Sequence, residues 1–370
     1  MQVTFLDQYS YLGGGQIILI SLIKSLKKTN NINVIFPKGG SLEKKIKNLE
    51  NENICLYGIN ENDFKYEKKN ILSTLRLIKN NFSVFGKYFH VIKSSDLIYC
   101  NAPRLFLICV VASIFLNKKI NYHIHSKYNL VESILISFIS QLKYTNKVIF
   151  CSNFVFKNFK KNILPLNLKK ISIIENGLSE EFDIEKFKNR FNHGKYKGFL
   201  KFAIIGSLKP EKGQDIVLSL GKSFPNIEFY IVGRESLENK EWIAYLKNKS
   251  NSNIFFQNEI IDIKKFIDDN FINIFLVPSK WDEPFGLVAI EGMSLSCITI
   301  VSNKGGLIDI AKKTGAFIYS NENELNKIIR YLYSCDKKKL IEIAQNQFIS
   351  TKKIYSFRNF SNKIRNIIYK

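Results

Sequence analysis

Residues 272–310, INIFLVPSKWDEPFGLVAIEGMSLSCITIVSNKGGLIDI, restrict the possible folds more than any other stretch of the 370 residues. An apolar, β-branched run from Ile272 to Val277 has the length and character of a buried strand. Pro278-Ser279 stops it. An apolar, helix-like run follows from Leu287 to Leu295, and Cys297 to Val301 reads as a second buried strand. Gly305-Gly306 then opens another helix. Strand, helix, strand is the building block of a parallel sheet.

The chemistry falls at the first strand-to-helix turn. A residue before proline is pushed out of the α region, so Glu283 is expected to be extended ahead of the helix. Pro284 tolerates a helix start, and Gly286 admits a ligand close to the backbone. The N–H groups at a helix start favour anions. Glu291 follows eight positions after Glu283. One acid at the mouth, one inside and phosphate-friendly amides between them match a sugar attached to a nucleoside diphosphate. The same two acids would also serve simply to complement a helix dipole. Pro-Ser before them, Pro-Phe-Gly between and Gly-Gly after the next strand favour a site.

The run VPSKWDEPFGLVAIE (277–291) resembles the signature of the family-4 glycosyltransferases, retaining nucleotide-sugar enzymes. That resemblance implies the α/β GT-B fold: two Rossmann-like domains facing a central cleft, with a C-terminal helix crossing back to the first domain. It implies that Glu283 holds sugar hydroxyls and Glu291 the ribose. Amides of Phe285, Gly286 and Leu287 would face the departing diphosphate. Residues 206–213, GSLKPEKG, are similar to the family's Gly-Arg-Leu…Lys-Gly loop. Lys212 then stands at the phosphate-binding lysine. Ser207 replaces the usual arginine, a loss that Lys209 is expected to offset. Gly13-Gly14, after the first strand, resembles the Gly-Gly loop facing the donor phosphates. His125, in Tyr-His-Ile-His-Ser, matches the histidine that reaches the donor sugar; Ser126 stands where an acid is common. Asn176-Gly177 is similar to the family's Asn-Gly turn, and Asn273 replaces a frequent aspartate.

The rest of the chain bounds this reading. Its length suggests two domains, expected at 1–180 with a returning helix 356–370, and at 196–355, joined by the charged stretch Glu180–Gly198. The net charge is +23, and residues 1–170 hold 25 basic and 9 acidic residues, or +16 of it. Nucleic acid, an anionic membrane surface or acidic small molecules would all suit such a surface, but no RNA- or DNA-binding signature accompanies it. Six scattered cysteines without C-x-x-C read as reduced, buried thiols. The chain opens directly in a strand, and its longest apolar run, Leu105–Leu116, is too short to span a bilayer. A cytoplasmic protein is expected, with peripheral membrane attachment as an option.

Further expectations are a helix from Gln16 to Lys28, a second capped by Ser41, and one or two amphipathic helices in Ile71–Ile92. His123 and His125 should share one face of a strand, with no further ligands to suggest a metal. No D-x-D occurs, so no metal and no other cofactor is expected. The expected function is transfer of a sugar from a nucleotide-sugar to a glycan or lipid-linked glycan. The alternatives are a non-catalytic nucleotide-sugar or polyanion binder, and a GT-B epimerase or phosphorylase.

Overall fold

The computed structural model describes residues 1–49, 52–64, 71–160, 165–179, 200–260 and 262–369. The linker expected at Glu180–Gly198 lies outside them. The chain divides into two compact units, Met1–Ser179 with Phe357–Lys370, and Glu180–Ser356.

The first unit is built on seven strands: β1 (Gln2–Leu6), β2 (Asn31–Pro37), β3 (Ile54–Ile59), β4 (Leu97–Cys100), β5 (Lys119–Ile124), β6 (Thr145–Phe150) and β7 (Ile171–Ile173). All pair in parallel in the order β3-β2-β1-β4-β5-β6-β7. The order reverses at β1, so β1 and β4 flank a switch point where connections leave in opposite directions. The helices are α1 (Gly14–Leu26), α2 (Ser41–Lys47), α3 (Ile71–Lys87), α4 (Phe89–Ser94), α5 (Phe106–Phe115), α6 (Leu130–Gln141) and α7 (Asn153–Lys160). Helix α1 starts earlier than its apolar periodicity indicates because extended Gly13 is its N-cap. Gly40 takes that place in α2, and the Ser41 hydroxyl instead accepts from the Leu12 N–H at 3.0 Å. Helix α7, Asn153–Lys160, is absent from the sequence reading; its eight residues make only about two turns.

The second unit has six parallel strands: β8 (Lys201–Ile205), β9 (Glu228–Val232), β10 (Ile254–Gln257), β11 (Ile274–Val277), β12 (Ile298–Ser302) and β13 (Phe317–Tyr319). Their order is β10-β9-β8-β11-β12-β13, with the switch point between β8 and β11. Phe202, Ile204, Phe229, Ile231, Ile274, Leu276, Ile298 and Ile300 form the middle of the core, which is why these strands read as continuous apolar runs. Three-residue β13 was too short to show a pattern. The helices are α8 (Ile216–Ser223), α9 (Lys240–Lys249), α10 (Ile263–Asp269), α11 (Leu287–Ser294), α12 (Leu307–Thr314), α13 (Glu322–Ser334) and α14 (Lys337–Tyr355). Helix α14 extends to Tyr355, with Thr351 and Tyr355 continuing its buried face.

Helix α15 (Phe357–Ile368) belongs to the first unit and packs on α1 through Phe360, Ile364 and Ile368. The Arg365 Nε donates to the Ser25 carbonyl at 2.9 Å. The architecture is thus two Rossmann-like parallel sheets with a C-terminal helix on the first. All six cysteines are free; Cys100, Cys109, Cys151 and Cys297 are buried, but Cys55 is exposed and Cys335 half-buried, contrary to the uniform burial expected.

Candidate functional site

In the second unit the candidate residues converge at the carboxyl ends of β8, β11 and β12. Chain leaving β11 turns at Pro278 and delivers Ser279 and Glu283. Glu283 is 7% exposed, and its Oε1 accepts from Ser279 Oγ at 2.6 Å and Lys212 Nζ at 2.7 Å. Lys212 Nζ also lies 5.1 Å from the centre of the Trp281 ring, a cation–π arrangement. The lysine comes from the short 3₁₀ turn Pro210–Lys212 after β8. That turn is tied to the β11 loop by Lys280 N–H donating to the Glu211 carbonyl at 2.9 Å. Lys212 and Glu283, 71 residues apart, are therefore direct partners.

The backbone around them is shaped by glycine. Gly286 has φ +113, and a Cβ there would lie 2.4 Å from Leu307 Cδ2. Gly305, at φ +55, would place a Cβ 2.3 Å from the Glu283 carbonyl oxygen. Gly306 donates its N–H to that same oxygen at 2.7 Å. The Gly-Gly loop after β12 thus buttresses Glu283 backbone to backbone. Glycine at 286 is required by its left-handed turn and by its packing on Leu307. Pro284 lies three residues before the first helical residue, Leu287, and is outside the helix rather than at its start.

Phe285 is buried against Tyr355. The first-turn N–H groups of an α-helix have no intrahelical acceptor, and here they are those of α11 beginning at Leu287. Glu291 lies one turn in, half-buried, and burial pushes its carboxyl up to about 7. Ser207 is exposed, its carbonyl accepting from Gln214 Nε2 at 3.0 Å. Lys209 Nζ sits 4.0 Å from Glu211 and so already has a carboxylate neighbour. Asn273 is structural: its Oδ1 accepts from the Lys201 N–H at 3.0 Å and ties β11 to β8.

In the first unit, Gly13 and Gly14 open α1 beside the end of β1. His125 follows β5. Its Nε2 lies 2.7 Å from Asn101 Oδ1, and its ring packs on His123 at 4.0 Å between centroids, the planes tilted by 37°. The two rings share one face, as their alternation indicates. His123 is wholly buried, with Nδ1 3.0 Å from the Tyr99 hydroxyl. Asn101 Nδ2 donates to Asp7 Oδ2 at 2.7 Å and to the Gly15 carbonyl at 3.1 Å. Asp7 Oδ1 accepts from Gln16 Nε2 at 2.9 Å and the Tyr9 N–H at 3.0 Å. Burial pushes Asp7 up to about 6 and His125 down to about 4. Asp7, Gln16 and Asn101 were missed in the sequence; the only signal of Asp7 and Asn101 is a polar residue just past the end of a buried strand, and Gln16 lies in the first turn of α1. Asn176 is buried, in irregular chain after β7 rather than in a turn at Asn176-Gly177. Among the described residues no three His, Cys, Asp or Glu side chains gather as metal ligands.

Known proteins resemble this chain in sequence and fold. Residues 185–347 match the model of the family described as glycosyl transferases group 1. An uncharacterized glycosyltransferase of Methanocaldococcus jannaschii is 27% identical over 221 residues, 59% of this chain and 55% of that protein. A glycogen synthase of Clostridium kluyveri is 29% identical over 163 residues, 42% of this chain and 30% of that enzyme. The chain thus spans about half, or less, of the length of these curated relatives. The crystal structure of Anabaena HepE in complex with UDP and glucose superposes with a TM-score of 0.79 at 18% identity, covering 100% of both chains. The fold is GT-B, and the matched segment 185–347, within the second unit, is similar to the glycosyl transferases group 1 family.

Proposed function

We propose that the chain is a retaining, metal-independent hexosyltransferase moving a sugar from a nucleotide-sugar to a glycan or lipid-linked glycan, in polysaccharide or lipopolysaccharide synthesis. The observation that carries this is the Lys212–Glu283 pair placed just ahead of α11. A nucleoside diphosphate offers Lys212 a second anion, and sugar hydroxyls offer Glu283 new donors. The bound donor therefore replaces one ion pair by two sets of contacts, with the amides of Phe285, Gly286 and Leu287 and the Ser207 hydroxyl facing the diphosphate. Glu291 takes the ribose. Gly13 and Gly14 serve the donor phosphates, and His125 orients the reacting sugar. Attack from the leaving-group face, with the departing phosphate taking the acceptor's proton, retains configuration. Residues 196–355 are the donor domain, and residues 1–180 with 356–370 the acceptor domain.

The Anabaena neighbour was crystallised with UDP and glucose, so UDP-glucose is the first donor to test. Thermal shift against a panel of nucleotide-sugars identifies the donor. Release of nucleotide only when an acceptor is present separates transfer from epimerisation. Abolition by EDTA with rescue by magnesium or manganese would defeat metal independence.

The acceptor class rests on the first unit. The connections holding α3, α5 and α6 all advance in one direction across the sheet, so right-handed crossovers put them on one face. Leu72, Leu75 and Phe82 of α3, Phe115 of α5, and Val131 and Phe138 of α6 are all exposed there. Arg76, Lys79, Lys127 and Lys143 accompany them in sequence. No helix among the described residues is long and apolar enough to cross a membrane. An exposed apolar layer with basic neighbours suits the surface of an anionic bilayer. Cosedimentation with anionic vesicles should be lost in Val131→Glu/Phe138→Glu and change less on reversing Lys44, Lys45 and Lys47 of α2, on the opposite layer. Equal binding to neutral and anionic vesicles would remove the electrostatic part of this reading.

A further inference from the structure

We infer that Asp7 and Asn101 are positioning residues for His125: a relay of side chains from the ends of β1, β4 and β5 holds its ring in the Nε2-protonated tautomer. The argument is one of donor counting. Asn101 Nδ2 faces two groups that only accept, the Asp7 carboxylate at 2.7 Å and the Gly15 carbonyl at 3.1 Å. The amide can be placed only one way round, and its Oδ1 then faces His125 Nε2 at 2.7 Å. An amide oxygen cannot donate, so Nε2 carries the proton and Nδ1 is left as the ring's acceptor. Asp7 does not depend on Asn101 for its own placement, because Gln16 Nε2 and the Tyr9 N–H hold its other oxygen.

The ring plane is fixed as well. His123 packs against one side, tilted by 37°, and the Cδ2 edge faces Gly15, where an added Cβ would be 3.7 Å away. Burial leaves Asp7 at about 6 and His125 at about 4, so at neutral pH the acid is largely ionised and the ring neutral. Those are the states the relay needs. The consequence for catalysis rests on the reading of His125 given above. A bare Nδ1 accepts from a sugar hydroxyl, whereas the other tautomer would present a competing donor.

The test is long-range proton–nitrogen NMR on protein labelled with ¹⁵N-histidine, with His125→Gln assigning the ring. The wild type should show His125 as Nε2–H. Asp7→Asn places an amide where Asn101 needs a pure acceptor, so the Nδ1–H form should become populated. Asn101→Ala, which leaves Asp7 and its other two donors in place, is the second arm should Asp7→Asn fail to fold; it should give a mixture of tautomers. A wild-type ring protonated at Nδ1, or a tautomer unmoved in the variants that fold, would overturn the relay. Turnover is read separately and should fall at least roughly tenfold with little change in KM for donor. A shifted tautomer with unaltered turnover leaves the relay standing and removes His125 from the reacting sugar.

Discussion

The two halves of the chain use the same scaffold in opposite electrostatic styles. Each places its polar residues at the carboxyl ends of parallel strands beside a switch point, β1 with β4 in one unit and β8 with β11 in the other. In the second unit a buried carboxylate, Glu283, is matched by a lysine at 2.7 Å that is itself partly exposed. In the first unit the buried carboxylate, Asp7, is held by side-chain amides and a backbone N–H, and it sits high in pKa. Its neighbouring histidine is neutral. Amides stabilise a carboxylate less than a cation does, but they constrain direction more tightly. One arrangement can exchange partners with a charged ligand; the other fixes a neutral ring.

That contrast can be broken most directly at Glu283. Glu283→Ala should lower kcat by about 10²–10³-fold, the usual size for losing one preorganised polar contact at a reacting centre. The binding of UDP alone should hold or tighten, because Lys212 loses its competing carboxylate. Calorimetry with UDP beside a turnover assay reads both; weakened UDP binding would show that Glu283 serves the nucleotide. Lys212→Ala should act on the other partner. It removes a charged hydrogen bond worth about 1.5–3 kcal/mol, so UDP affinity should fall by roughly 10- to 100-fold. An unchanged affinity would take the diphosphate away from this lysine.

The same contrast explains what the sequence disclosed. Glu283, Pro284, Phe285, Gly286 and Glu291 lie within nine consecutive residues, and their glycines are required by backbone packing that leaves a local pattern. Strands β8, β11 and β12 were legible as apolar runs because both faces of their sheet are covered. Asp7, Asn101 and His125 meet only after three strands have paired, and nothing local marks residues 94 and 24 positions apart as partners. The Lys212–Glu283 contact was equally hidden, although each residue was visible alone. Strand β13 and helix α7 escaped because three residues, or eight making about two turns, are too short to stand out as elements.

Backbone packing in the second unit supplies a smaller effect. Gly305 and Gly315 both have positive φ, +55 and +76, yet a Cβ meets the Glu283 backbone at the first and nothing within 4 Å at the second. Alanine at either position bears the left-handed strain of about 1–2 kcal/mol. Gly305→Ala must also displace the Glu283 loop. Since about 1 kcal/mol moves the melting temperature of a unit this size by roughly 2–4 °C, Gly315→Ala should lose only a few degrees. Gly305→Ala should lose more, and turnover with it. Equal shifts in the two variants would mean that the loop gives way freely.

Glu291 separates stability from binding by the sign of its pH dependence. Burial raises its carboxyl from the ordinary 4.5 to about 7. Between those values the folded chain retains a proton that the unfolded chain has released. Its contribution to stability is therefore full below about 4.5 and is lost as pH rises through 7. Glu291→Gln, which resembles the neutral acid in shape, should match the wild type in melting temperature near pH 5 and exceed it near pH 8. Nucleotide binding should run the other way. Ribose hydroxyls donate to the ionised carboxylate, so wild-type affinity for UDP should tighten from pH 6 to 8. The glutamine variant should bind more weakly and lose the part of that slope due to residue 291. If its affinity follows the wild-type pH profile, the ribose is held elsewhere and Glu291 is a buried acid of the helix alone.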